Sequence, residues 1–140
     1  QAQNNGIWKY LEESCTDWAD KYGKIWVITG PAFFQQSPSM WLGQADDVSI
    51  AIPDATYKIV IRESEESETG IETLAFLFPN IIVRDNKRED IPTYITSIQS
   101  IEKVTNLTFL TELDQETQKI EKEKNASLTG QLKLAVYQKW

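Results

Sequence analysis

The chain has 140 residues, of which 21 are Asp or Glu and 14 are Lys or Arg, so its net charge is −7 at pH 7. This acidic balance repels nucleic acid and excludes a simple polyanion-binding module, unless a metal ion or further chain supplies positive charge. The single cysteine excludes an intrachain disulfide and a thiolate metal cluster, and no apolar run is long enough to span a membrane.

The first predicted element is a helix over Ile7–Tyr22. Its large apolar residues recur at steps of three and four, which places on one buried stripe Trp8, Leu11, Cys15, Trp18 and Tyr22. Gly23 then ends the helix. We expect Trp8, Cys15 and Trp18 to belong to the core, rather than to a base-stacking surface or a reactive thiol site.

Three strands are predicted next. The β-branched and aromatic run Lys24–Thr29 forms the first strand, with Trp26 in the core, and Gly30-Pro31 should end it. Thr56–Arg62 and Leu74–Phe78 form the second and third strands. The acidic stretch between them, residues 63–70, can bury almost nothing and is expected to be a solvated hairpin tip.

The last third of the chain is predicted to contain two helices and a tail. Ser97–Val104 has apolar residues at helical spacing, with Thr96 as the candidate N-cap. Asp114 should cap a charged helix, Asp114–Lys124, that lies on the surface. The alternation of apolar residues after Leu128 indicates either a last strand or a packed extension. We therefore expect a single α+β domain over residues 1–140, a mostly antiparallel sheet with helices packed around it.

Two polar residues of the first helix region could take part in metal chemistry. Asn4 and Glu12 are eight residues apart, which on a helix corresponds to about 12 Å along the axis, so they cannot ligate one ion together directly. An Asn oxygen can instead bind a hard cation such as Mg²⁺, while the Glu accepts a hydrogen bond from one of its waters. The simpler alternatives are that Asn4 is a helix cap or a chain end and that Glu12 is a solvated helix residue.

Six short motifs occur in one order along the chain. They are Asn-x-Gly-x-Trp-x-x-Leu-Glu at 4–12, Trp18-Ala19, Val-Ile-Thr-Gly-Pro at 27–31, Pro53 with Tyr-Lys-Ile-Val-Ile at 57–61, Ala-Phe-Leu-Phe-Pro-Asn at 75–80, and Ser97-Ile98 with Ile-Glu-Lys-Val-Thr-Asn-Leu at 101–107. From Asn4 to about Leu113 the chain resembles the C-terminal part of the DNA/RNA non-specific endonuclease family. The resemblance implies the ββα-metal (His-Me finger) nuclease fold, with its N-terminal part missing from this chain.

The resemblance also implies an activity and roles for residues. It implies hydrolysis of phosphodiester bonds in DNA and RNA with Mg²⁺ or Mn²⁺, DNA and RNA being the partners of the full-length domain. Asn4 would be the one protein ligand of the metal, and Glu12 would hold a metal-bound water and assist the leaving side. The family's base is a histidine in an upstream Asp-Arg-Gly-His motif, and this chain contains no histidine, so the fragment itself is expected to be inactive. Thr16 stands where the family usually carries an Arg that can reach a phosphate.

Two alternatives remain open beside the nuclease hypothesis. A degenerate, non-catalytic relative that serves as a binding or structural module would account for Thr16 and the acidic charge. An unrelated α+β interaction domain would have no helix that presents Asn4 to a cleft. The sequence determines neither the oligomeric state nor the compartment, although the resemblance allows export to the periplasm or outside the cell.

Overall fold

The computed structural model describes residues 6–33, 40–42, 50–52, 54–79 and 87–140. In chain order the elements are helix α1 (Ile7–Tyr22), strands β1 (Trp26–Ala32), β2 (Met40–Leu42), β3 (Ile50–Ile52), β4 (Ala55–Glu63) and β5 (Ile71–Pro79), a 3₁₀ helix (Arg88–Tyr94), strand β6 (Ile95–Thr96), and helices α2 (Ile98–Thr105), α3 (Gln115–Glu123) and α4 (Gly130–Lys139). The α+β class expected from the sequence is confirmed.

Helix α1 has the bounds that its apolar spacing predicts. It ends at Gly23, which adopts the left-handed conformation with φ of 82° and donates its backbone N–H to the carbonyl of Ala19. Its buried stripe consists of Ile7, Leu11, Ser14, Cys15 and Trp18. Burial of Cys15 and Trp18 confirms their assignment to the core.

The main sheet has four antiparallel strands in the order β1-β4-β5-β6. The predicted strands Thr56–Arg62 and Leu74–Phe78 are confirmed as the centres of β4 and β5, which pair over their whole length from Ala55 with Pro79 to Glu63 with Ile71. The hairpin between them closes where the N–H of Ser64 donates to the carbonyl of Gly70, as expected for the acidic tip. Strands β2 and β3 form a separate antiparallel pair.

Strand β1 extends beyond the Gly30-Pro31 pair that was expected to end it. It lies at one edge of the four-stranded sheet, where a missing proline N–H breaks no ladder between two neighbours. Gly30 lies opposite Tyr57, whose ring occupies the space that a Cβ at Gly30 would need. The edge position also corrects the assignment of Trp26 to the core, since 40% of this residue is exposed.

Each face of the sheet is covered by different helices. One face packs against α1, α4 and the 3₁₀ helix through a cluster formed by Ile7, Leu11, Cys15, Trp18, Val60, Leu74, Phe76, Phe78, Ile91, Ile95 and Trp140. The other face packs against α2 and the segment that follows it through Tyr57, Ile59, Ala75, Ile98, Ile101 and Phe109. The alternation of side chains along β4 therefore assigns even-numbered residues from Lys58 to Arg62 to the α1 face.

Helices α2 and α3 differ from the prediction in two details. Ser97, not Thr96, caps α2, because its hydroxyl accepts the N–H of Ser100 whereas Thr96 ends strand β6. Asp114 caps α3 as predicted, but α3 is not purely a surface helix, since Glu121 is 1% exposed.

The tail is a helix and not a strand. Thr129 caps α4 by accepting the N–H of Leu132, and the following Trp140 is 6% exposed against the ring of Trp18. The tail is therefore a packed extension, which was one of the two expected possibilities. No helix in the described part of the chain has the length and apolar character needed to cross a membrane.

Candidate functional site

Helix α1 carries Glu12, one of the two candidate site residues predicted from the sequence. Asn4 lies outside the described residues, so the structure does not show how its side chain relates to Glu12. Glu12 lies in the second turn of α1 and is exposed, beside the fully buried Leu11. The amphipathic register of α1 thus turns Glu12 away from the core and leaves its carboxylate accessible.

The two adjacent glutamates of α1 have different environments. Glu13 forms an ion pair with Arg88 of the 3₁₀ helix, whose guanidinium also lies 5.0 Å from the centre of the Tyr10 ring. The Glu12 carboxylate, in contrast, makes neither a hydrogen bond nor an ion pair to any residue that the structure describes. Of the two carboxylates, Glu12 is therefore the one available to a ligand.

Thr16 lies one helical turn after Glu12. Its hydroxyl donates to the backbone carbonyl of Glu12 over 3.2 Å, a local bond that keeps this short side chain close to the helix. The position therefore presents no cationic group to a phosphate.

Trp8, one turn before Glu12, contacts residues from the sheet. Its ring meets the ring of Phe78 edge-on, with centroids 5.8 Å apart. The ammonium of Lys58 lies over the Trp8 ring at 4.3 Å from its centre, and Lys58 is only 5% exposed. One face of the Trp8 indole is therefore occupied by a cation, which supports its structural role rather than base stacking.

Lys58 was not singled out from the sequence. A lysine in the middle of a strongly hydrophobic strand, flanked by Tyr57 and Ile59, was the available signal. Alternation along β4 places Lys58 on the same face as Val60, the face that packs on α1. The sequence alone does not show which helix covers that face.

Burial and two nearby charges shift the pKa of the Cys15 thiol. Burial raises the pKa of the Cys15 thiol, the nearby Lys58 ammonium lowers that pKa, and the Glu12 carboxylate raises it. A thiol with a raised pKa and 9% exposure is a poor nucleophile and a poor metal ligand. Cys15 therefore has a packing role.

The remaining candidate charges do not form a phosphate-binding surface in the described residues. Three basic residues follow β5 in the sequence, namely Arg84, Lys87 and Arg88. Arg84 lies outside the described residues, and Arg88 is paired with Glu13. Lys87 is exposed. The described members of this cluster, Lys87 and Arg88, therefore do not supply the cationic surface that nucleic acid binding requires, and other residues would have to provide it.

A hydrated Mg²⁺ or Mn²⁺ fits the chemistry of Glu12. Among the described residues no group of three or more His, Cys, Asp or Glu side chains converges, so a fully protein-built metal cage is not seen there. Mg²⁺ keeps most of its waters and needs only one or two protein oxygens. An exposed carboxylate such as that of Glu12, which is unpaired within the described residues, can accept hydrogen bonds from such waters.

Comparison with known proteins identifies the family. Residues 1–116 match the family described as DNA/RNA non-specific endonuclease. The chain is 29% identical over 90 residues to Nuclease 1, mitochondrial, from Schizosaccharomyces pombe, a region that covers 59% of this chain and 28% of that protein. It is 30% identical over 84 residues to Nuclease EXOG, mitochondrial, from Danio rerio, covering 55% of this chain and 24% of that protein. The names of these relatives give them a mitochondrial location, and nothing in them supports the expected export.

A solved structure shows the same fold. The chain superposes on a chain of the EndoG/EndoGI complex, a structure that addresses EndoG inhibition, with a TM-score of 0.60 at 20% identity, covering 84% of this chain and 48% of that chain. The expected ββα-metal nuclease-like fold is thereby confirmed. This chain spans about half of that chain and about a quarter of the curated relatives it matches. With 116 of its 140 residues matched, the chain belongs to the DNA/RNA non-specific endonuclease family.

Proposed function

We propose that the full-length protein is a divalent-metal-dependent endonuclease that hydrolyses phosphodiester bonds in DNA and RNA. The observation that carries this proposal is the exposed carboxylate of Glu12, which has no partner among the described residues and lies on a helix inside the family-matched residues. The names of the relatives, which are nucleases, support the same reaction class.

In this proposal Asn4 and Glu12 have separate roles. The amide oxygen of Asn4 binds Mg²⁺ or Mn²⁺, and the Glu12 carboxylate orients a water of the hydration shell beside the scissile phosphate. The ion supplies positive charge that stabilises the transition state of phosphodiester cleavage. Because Glu13 is held by Arg88, it does not compete with Glu12 for the same water.

The general base of the proposed reaction lies outside this chain. We propose that residues 1–140 are the C-terminal part of a nuclease domain whose Asp-Arg-Gly-His segment precedes Gln1. The absence of histidine in this chain and its coverage of 48% of the matched chain of the EndoG/EndoGI complex support this arrangement. The upstream part would also supply the basic surface that a chain of net charge −7 does not offer.

The test uses the protein extended upstream to include the histidine segment, incubated with plasmid DNA or RNA and Mg²⁺. We expect the wild type to cleave both, and Glu12→Gln to lower kcat by about a hundredfold or more. Glu13→Gln is the matched control, since it neutralises the adjacent carboxylate of the same helix, and it should change kcat by less than about threefold. If Glu12→Gln and Glu13→Gln behave alike, the assigned role of Glu12 is wrong.

A second candidate is a degenerate, non-catalytic module, which Thr16 and the acidic charge favour. It predicts that the same extended protein, folded and supplied with Mg²⁺, leaves both DNA and RNA intact. That result would reject the nuclease proposal. Cleavage that depends on Glu12 would reject the degenerate module.

A further inference from the structure

A cavity of about 580 Å³ lies between the β4–β5 hairpin and the C-terminal ends of α3 and α4. This volume is in the range of sites that bind small molecules. The charged residues that line the cavity are three cations and two carboxylates, namely Arg62, Lys124, Lys139, Glu66 and Glu72. The structure describes all of α1, and none of its residues lines the cavity, which is therefore separate from the candidate site at Glu12.

Aromatic rings hold the guanidinium of Arg62. Its central carbon lies 4.0 Å from the centre of the Tyr22 ring and 4.9 Å from the centre of the Trp140 ring. These two rings meet edge-on at an interplanar angle of 79°, so the guanidinium lies in the corner between them. Cation–π contacts hold the charge in place without using the N–H donors, which stay available for an acceptor.

No acceptor in the described part of the chain uses these donors. Arg62 lies directly opposite Glu72 in the β4–β5 register, where a cross-strand ion pair would be expected. Glu72 pairs with Lys124 at 3.3 Å instead, and the buried Nε of Arg62 has no hydrogen-bond partner. Because buried polar groups in native proteins are nearly always hydrogen-bonded, this guanidinium calls for an acceptor from outside the chain.

Lys139 contributes a second positive charge to the cavity. It is exposed in the last turn of α4 and forms no ion pair with any residue that the structure describes. Lys124 is already shared by Glu72 and Glu121, and the exposed Glu66 opposes the two remaining cations. The cavity thus offers an ammonium and a guanidinium that have no carboxylate partner among the described residues, and a guanidinium can donate two parallel hydrogen bonds to one oxyanion.

We propose that this cavity binds the oxyanion group, phosphate or carboxylate, of a small organic molecule. The Arg62 guanidinium donates to two oxygens of the anion, and the Lys139 ammonium donates to the same group. The side chain of Val136 supplies apolar surface for the rest of the molecule. This inference does not depend on the proposed nuclease function, because it involves neither Glu12 nor a metal ion.

The test follows the indole N–H signal of Trp140, which lines the cavity, by ¹H–¹⁵N NMR of the upstream-extended protein. Inorganic phosphate, adenosine monophosphate and succinate are added separately without added metal ion. We expect a saturable shift with at least one of the three probes, and the probe that binds most tightly identifies the oxyanion. The absence of a saturable shift with all three overturns the proposal. A lower Kd for a single-stranded oligonucleotide than for adenosine monophosphate also overturns it, because the phosphate would then belong to a nucleic acid backbone.

Two substitutions in β4 test the guanidinium against a matched control. Arg62→Met removes the bidentate donor and should raise the Kd of the tightest probe by about tenfold or more. Lys58 lies on the same face of β4, and its ammonium also lies over a ring of α1, but it does not line the cavity. Lys58→Met should therefore leave the Kd unchanged. An equal rise of the Kd in both variants overturns the proposal, because the effect would then be general.

Two exposed positions decide the matter if Arg62→Met does not fold. Lys139→Gln should raise the Kd about threefold, because it removes an attractive charge. Glu66→Gln removes a carboxylate that repels the anion and should lower the Kd about twofold. Changes of opposite sign identify an electrostatic site, since a general disturbance of the fold does not tighten binding. An unchanged Kd in both of these variants overturns the proposal.

Discussion

Glu121 of α3 is joined to Thr73 of β5 by a buried hydrogen bond, in which the Thr73 hydroxyl donates to Glu121 Oε1 over 2.9 Å. The other oxygen of the same carboxylate accepts from the Thr69 hydroxyl over 2.8 Å, and Lys124 pairs with the carboxylate at 2.9 Å. With Glu121 only 1% exposed, this network fastens α3 to the β4–β5 hairpin.

Removing this carboxylate should destabilise the fold strongly. Glu121→Ala leaves the buried Thr73 hydroxyl without its acceptor and Lys124 without its buried partner, so we expect a loss of about 3 kcal/mol in the free energy of unfolding. Urea denaturation followed by tryptophan fluorescence measures it. Glu123→Ala, an exposed position of the same helix, should cost less than about 0.5 kcal/mol. Equal losses in the two variants would contradict a specific role for the network.

A second prediction concerns the contact between α1 and α4. The hydroxyls of Ser14 and Tyr137 form a hydrogen bond over 2.6 Å, and Ser14 is 7% exposed. Tyr137→Phe leaves the Ser14 hydroxyl without this partner and should lower the free energy of unfolding by about 1–2 kcal/mol in urea denaturation. Tyr94→Phe is the control, since the Tyr94 hydroxyl makes no hydrogen bond within the described residues. A Tyr137→Phe protein as stable as the wild type would show that the bond contributes nothing.

The raised pKa of the Cys15 thiol leads to a prediction about how the stability of the protein changes at alkaline pH. Burial raises the pKa of this thiol, so between its unfolded value of about 8.5 and the higher folded value the native state retains a proton that the unfolded state loses. Its contribution to stability is complete below about pH 8.5 and decreases as the pH rises through the folded pKa. The urea midpoint should therefore fall from pH 7 to pH 9.5, and less steeply in Cys15→Ala. An identical slope in the variant would exclude the thiol as the cause.

The lowered pKa of Asp114 leads to a prediction about stability at acid pH, where stability should decrease as the pH falls. The backbone N–H and then the hydroxyl of Thr117 donate to this carboxylate and lower its pKa below the usual value. Its contribution to stability is present above the unfolded pKa of about 3.9 and is lost as the pH falls through the lower, folded value. Asp114→Asn retains an N-cap without the charge, so its unfolding free energy should depend less on pH between 5 and 3 than that of the wild type. Parallel pH curves for the two proteins would reject this assignment.

The Thr16 position offers a gain-of-function prediction. A guanidinium one turn after Glu12 can form bidentate hydrogen bonds to a phosphate, which the Thr16 hydroxyl, bonded to the Glu12 carbonyl, does not. In the upstream-extended nuclease, Thr16→Arg should lower KM for DNA by about tenfold, equivalent to roughly one charge-assisted contact. Thr16→Gln, which lengthens the side chain without charge, should leave KM unchanged. A similar KM in all three proteins would show that the position does not face the substrate.

Much of the fold could be predicted because local patterns and tertiary packing agree. The apolar spacing of α1 and its Gly23 end gave both of its bounds, and the cores of β4 and β5 followed from their β-branched and aromatic residues. The hairpin between them followed from an acidic stretch that cannot be buried. These elements are determined by periods that a single sequence displays.

The errors arose where a neighbour decides the outcome. Trp26 is exposed because β1 is an edge strand, and the position of a strand in the sheet cannot be predicted from the residues of that strand alone. The tail after Leu128 alternates as a strand would, yet it folds as a helix that buries Trp140 on Trp18. Glu121 reads as a surface residue in its sequence context and becomes buried because two hydroxyls and Lys124 meet it from other positions.

The same reasoning from the sequence predicted only part of the candidate site. Glu12 could be predicted as an exposed helix residue from the stripe on α1, and the pairing of Glu13 with Arg88, 75 positions away in the chain, could not. Lys58 was missed because strands β1, β2 and β3 separate it along the chain from its partner Trp8. The role of Asn4 stays a prediction.

Lys58 and Arg62 belong to the same side of one strand, and each stacks on an aromatic ring at opposite ends of α1. A slip of β4 by a single position would send both cations to the α2 side and bring tyrosine and isoleucine under the helix instead. Misaligned chains would thus lose both cation–π contacts with α1 simultaneously, so the docking of α1 favours the correct register of β4.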